Sequence, residues 1–148
     1  MRLALAVAAA LAIGACSGMP TTPPASPGGF GDVIGELVLH GVTVHEHTSG
    51  DDGCPNVELH DNAAHLSASF GSMSRLFDIY VFRWRRASDF EAEAVAFADC
   101  LEGHRALRPG SQVVALEASP WRAYGTDWPP DLRLVVEEAL FGAGGQVI

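Results

Sequence analysis

The chain has 148 residues, with nine arginines, no lysine, 18 acidic residues and a formal charge of −9 at pH 7. A chain this acidic is repelled by nucleic-acid phosphates and by anionic lipid headgroups, which excludes both as charge-driven partners. Beyond a short leader the length suits one domain, and an apolar content of 48% is enough to bury a single core.

Met1-Arg2 carries one positive charge, and residues 3–13 are an unbroken apolar run of Leu, Ala, Val and Ile. A membrane span needs roughly 20 such residues, so the run reads as the n-region and h-region of a signal peptide. It ends in Ile13-Gly14-Ala15-Cys16. This motif, an aliphatic residue, two small residues and a cysteine, resembles the lipobox of bacterial lipoproteins. The resemblance covers about the first 16 residues. It implies that residues 1–15 are removed and that Cys16 becomes the lipidated N-terminus, with chains such as palmitate anchoring the protein on the extracytoplasmic side of a membrane in the cell envelope. Removing residues 1–15 takes away one arginine and no acid, leaving a formal charge of −10. Residues 16–30 are rich in Pro, Ser, Thr and Gly and cannot bury enough surface to fold, so they read as a linker. Residues 31–148 then form one domain. With Cys16 assigned to lipid, as the resemblance implies, Cys54 and Cys100 remain as the one possible intramolecular pair, in a compartment where disulfides persist. Closing that loop contributes about 4 kcal/mol in the chain-entropy account. A reactive thiol or metal ligand at Cys54 is the alternative.

In residues 32–48 apolar and polar positions alternate around Gly41, which predicts two strands or one long bent strand. Residues 49–56, SGDDGCPN, are turn chemistry and place Cys54 in a loop. Residues 57–74 fit a short helix or a further strand, with a strand over 65–70 preferred. Residues 75–85 are dense in β-branched and aromatic side chains. Phe77, Ile79 and Val81 point to one side and Tyr80, Phe82 and Trp84 to the other, which predicts a central strand covered on both faces. Ser88-Asp89-Phe90-Glu91 fits a capping box opening a helix. Phe90, Ala94, Phe97, Ala98 and Leu101 form its apolar stripe, with Cys100 beyond one edge. Residues 112–118 and 121–124 read as strands. Pro129 and Pro130 start a second helix buried through Leu132, Val135, Val136 and Ala139, and Gly142, Gly144 and Gly145 end it. This order argues for an α+β fold: a small antiparallel or mixed sheet of about four to five strands with two helices packed on it.

Histidine is the most suggestive residue type for chemistry, with six in the chain. On a regular strand His45 and His47 share a face about 7 Å apart, a spacing at which two imidazoles hold one zinc or copper ion. His60 is the preferred third ligand, with His40, Asp61 and His65 as further candidates. Solvated surface histidines are the alternative. Residues 83–86, Arg-Trp-Arg-Arg, form a small basic-aromatic patch suited to an anion or a stacked ring, or else the frayed end of a strand. Trp121, Tyr124 and Trp128 lie in a proline-rich stretch and suggest an aromatic recognition surface, with core closure as the alternative. No nucleophile elbow, phosphate-binding glycine loop or calcium loop is present, so no catalytic residue is assigned. The reading that results is a membrane-anchored, non-enzymatic binding or interaction module with an envelope protein as partner. A metal-binding envelope lipoprotein using the His-x-His pair is the alternative.

Overall fold

A computed structural model describes residues 28–148, together with the backbone but not the side chain of Asp61. The leader, Cys16 and the linker up to residue 27 lie outside the described residues. The described chain runs α1 (Phe30–Leu39), β1 (Val42–Ser49), a short 3-10 turn (His60–Asn62), β2 (Ala63–Phe70), β3 (Phe77–Arg83), α2 (Ala87–Ala92), α3 (Ala94–Leu107), β4 (Val113–Ala118), β5 (Trp121–Thr126) and α4 (Pro130–Gly142). The five strands form one antiparallel sheet in the order β1-β2-β3-β5-β4. The fold is therefore α+β, with helices on both faces of an antiparallel sheet.

The two faces carry separate cores. On one, Val33 and Leu37 of α1 and Leu132, Val136, Ala139 and Leu140 of α4 pack on Leu66, Phe77, Ile79, Val81, Trp121 and Ala123. On the other, Phe90, Phe97, Cys100 and Leu101 of α2 and α3 cover Phe82, Trp84 and Tyr124. Strand β3 serves both through its period of two, as its sequence predicts. Strand β5 does the same and is buried along its whole length.

Residues 32–48 differ from expectation in their first half, which is helical. Phe30, Val33, Ile34 and Leu37 stand at helical spacing, and Val33 and Leu37 are buried against the sheet. The Asp32 side chain accepts a hydrogen bond from the Gly29 N–H at 2.6 Å and holds the first turn. Gly41, at φ +86°, turns the chain into β1. The first predicted helix also divides into α2 and α3 at Glu93. It begins at Ala87, one residue before the expected cap, and Ser88 bonds to the Asp89 carboxylate at 3.3 Å instead of to the backbone. The expected strand near residues 65–70 is β2, and the Pro129-Pro130 start of α4 is observed.

Candidate functional site

Polar side chains converge under the loop of residues 50–59, on the α3 face of the sheet. Cys54 is joined to Cys100 by a disulfide, which ties this loop to α3. Asp51 and Asp52 organise the turn: their carboxylates accept from the N–H groups two residues on, at Gly53 (3.1 Å) and Cys54 (2.9 Å). Asp52 is 2% exposed. Its second oxygen accepts from the Leu59 N–H at 2.6 Å and faces His60 Nδ1 at 3.1 Å, while its backbone carbonyl accepts from the Tyr124 hydroxyl at 2.7 Å. Gly53 sits at φ +62° directly over the two tyrosines.

Below the loop, the register places His65 of β2 opposite Tyr80 of β3, and Tyr80 opposite Tyr124 of β5. Their rings stack in series, with centroids 4.6 Å and 4.8 Å apart. His104 of α3 meets Tyr124 edge-on at 5.3 Å. His65 reaches Asp51 through Nδ1 at 3.1 Å and Asp78 through Nε2 at 2.9 Å. Burial, followed by the charges of Asp78 and Asp51, pushes the Tyr80 hydroxyl up to about 12. Burial raises Tyr124 as well, followed by Tyr80 and Asp52. His104 is lowered, first by burial and then by the Arg108 charge.

This arrangement braces the loop. Both nitrogens of His65 and both oxygens of Asp52 are engaged, and both phenols stay protonated at neutral pH. His60 is the most exposed member, paired with Asp52 through Nδ1, with its side chain 55% exposed. None of its members has a local sequence signal except Asp51 and Asp52, whose place in a turn-rich octet marks them as turn residues.

The structure separates the residues that the His-x-His reading joins. A β-bulge interrupts the β1–β2 register between Val44 and Glu46, with the extra residue at His45. His45 bonds to the Ser69 hydroxyl at 2.8 Å, on the α3 face of β2, whereas His47 stands opposite Leu66, whose side chain belongs to the other face. The pair is therefore split across the sheet, and His60 is held at Asp52. His40 lies on the α1/α4 side, 3.4 Å from Glu138 and 3.9 Å from Glu36. Among the described residues no group of three or more His, Cys, Asp or Glu could hold a metal ion.

The expected aromatic surface is also absent, because its rings are core. Trp121 and Tyr124 are fully buried and Trp128 is 5% exposed, since β5 is a central strand covered from both sides. The Trp121 indole N–H reaches the Ala143 carbonyl at 3.3 Å, and that of Trp128 the Asp78 carbonyl at 3.0 Å. Trp84 of the basic-aromatic run is buried likewise. It packs against Arg122, a buried guanidinium lying 3.7 Å from the Phe90 ring centroid and 4.9 Å from that of Trp84. Arg122 donates to the Phe90 carbonyl at 2.8 Å and faces Glu117 at 3.3 Å.

The two edges of the sheet differ. The β1 edge carries the bulge and exposes His45, Glu46, His47 and Thr48, features that discourage another strand from pairing there. The β4 edge begins with half-buried Val113, Val114 and Ala115 and adjoins a groove of about 460 Å³ bounded by Trp128, Pro130, Arg133 and Leu134. It has none of those protections over its first three residues. Among the described residues no helix is long and apolar enough to cross a membrane. No protein-family model, curated protein or solved structure matches the chain.

Proposed function

We propose that the chain is a lipid-anchored protein of the bacterial cell envelope whose single domain works by binding a protein surface and carries out no chemistry of its own. The anchor is supported by the apolar leader, the Ile13-Gly14-Ala15-Cys16 motif and the Pro/Ser/Thr/Gly linker. The observation that carries the binding role is the contrast between the sheet edges: β1 is bulged and polar, while β4 presents an apolar, groove-flanked strand. The internal polar cluster is the alternative place for chemistry, and its bonds are spent on holding the loop of residues 50–59.

Fractionation of cells expressing the full chain, with mass spectrometry of the N-terminal peptide, tests the anchor. The expected result is a membrane-associated protein beginning at a diacylated Cys16, and loss of both properties in Cys16→Ser. Recovery of the wild type as a soluble protein with an unmodified Cys16 overturns this reading.

A further inference from the structure

We propose that two copies of the domain pair edge to edge through β4, joining their sheets into one of ten strands. The backbone register identifies the groups available. The Asp127 N–H donates to the Gln112 carbonyl at 2.8 Å, and the Gln112 N–H returns to the Asp127 carboxylate at 2.8 Å, so position 112 faces β5. Antiparallel strands alternate, which turns the N–H and C=O of Val113, Ala115 and Glu117 away from β5. Among the described residues no backbone group takes them up. The next outward carbonyl, that of Ser119, already accepts the Gln146 N–H at 2.9 Å in an antiparallel bridge, so this edge admits a further strand.

A second copy fits because the strand is complementary to itself when reversed. Antiparallel pairing centred on Ala115 sets Val113 opposite Glu117 of the other copy and forms about six backbone hydrogen bonds. The Val113 end carries Arg108 on the α3 face: Val113 pairs with Thr126, whose hydroxyl accepts from Arg108 at 3.4 Å. The other end carries Glu117, whose side chain is 47% exposed. Reversal brings Glu117 of each copy toward Arg108 of the other, twice over. Parallel pairing, or pairing with an unrelated strand, does not use this polarity.

The anchor makes the same geometry favourable, and this part rests on the lipid-anchor reading. A two-fold axis normal to the sheet keeps both α1/α4 layers on one side. The described chain enters that layer at Gly28, whose N–H donates to the Ala143 carbonyl at 2.9 Å. Both Gly28 entry points therefore lie on one side of the joined sheet, as two anchors in one membrane require. A strand edge buries less than the roughly 1,000 Å² typical of a lasting soluble dimer, and tethering supplies the local concentration that offsets the shortfall.

The test is photocrosslinking of the full chain in native envelopes, with benzoylphenylalanine placed at Gln112 or, on the opposite edge, at His47. Position 112 is expected to give a species of twice the chain mass and position 47 none. Ala115→Pro removes an outward N–H without breaking the β4–β5 ladder and is expected to lower the yield from position 112 at least fivefold. Arg108→Glu is expected to do the same with the backbone intact, and it carries the test if the proline variant loses protease resistance. Absence of the double-mass species, equal yields from positions 112 and 47, adducts with a different protein alone, or an undiminished yield in folded Arg108→Glu overturns the proposal. Sedimenting the same irradiated samples reads the anchor separately: a double-mass species in the supernatant upholds pairing and overturns the anchor, and a monomer in the pellet does the reverse.

Discussion

Replacing Gly53 with alanine probes the bracing of the loop at its tightest point. A Cβ built there lies 2.5 Å from Tyr80 Cε1 and 2.6 Å from the Tyr124 hydroxyl oxygen, and the backbone sits at φ +62°. The left-handed conformation costs a side-chain-bearing residue about 1 kcal/mol. Relief of the clash requires the tyrosines or the loop to move, which breaks the hydrogen bond from Tyr124 to the Asp52 carbonyl at a further cost of about 1 kcal/mol, and disturbed ring packing adds about 1 kcal/mol more. The expected total is about 3 kcal/mol, or roughly 10 °C in melting temperature for a domain of this size. Gly71 is the internal control, because it has φ +59° and nothing within 4 Å of the added carbon. Gly71→Ala pays only the backbone cost. Thermal unfolding followed by circular dichroism on the oxidised full chain compares the two, and melting temperatures within about 2 °C of each other would refute the steric part of the argument.

Reducing the Cys54–Cys100 disulfide, or replacing both cysteines with alanine, should cost about 4 kcal/mol in chemical denaturation, and a loss under 1 kcal/mol would show that the polar bracing suffices alone. The chain has two tyrosines, both raised, with Tyr80 up to about 12. Absorbance near 295 nm should therefore show almost no phenolate at pH 10.5 in the folded protein and a normal titration in urea. Stability held in the protonated phenols is present below about pH 10 and is lost as pH rises toward 12; a folded-state titration centred on 10 would contradict the burial of both rings. His104 is lowered, so its folded form favours the neutral ring: its contribution is complete above the unfolded value of about 6.5 and falls as pH drops below it. Wild type should lose stability relative to His104→Gln between pH 7.5 and 5.5, and parallel curves in urea titrations would exclude that role.

The β4, β5 and α4 segments were readable because their signals are local: turn residues, alternation, and proline at a helix start. The central place of β3 was readable from apolar residues on both sides of its pleat. Residues 32–39 were not, because Val33 and Leu37 satisfy a period of two as well as one of 3.6, and only the packing of Val33 and Leu37 beneath α4 selects the helix. The His45/His47 pair failed for a related reason. Strand spacing predicts a shared face only while the ladder is regular, and the single extra residue at His45 reverses the sides. The aromatic residues from Trp121 to Trp128 looked like a surface because prolines surround them, yet β5 lies between two other strands and its rings fill both cores. The polar cluster joins positions 51, 65, 78, 104 and 124, brought together by strand register and one helix crossing, which no spacing along the chain encodes.

The disulfide and the hydrogen bonds of the loop of residues 50–59 all lie on the α3 side of the sheet, while the chain enters the described domain through the α1/α4 side. The hydrogen bond of Gly28 to Ala143 thus lies in a layer that, among the described residues, has no covalent clasp. The covalent clasp and the entry of the described chain therefore lie on opposite faces of the sheet.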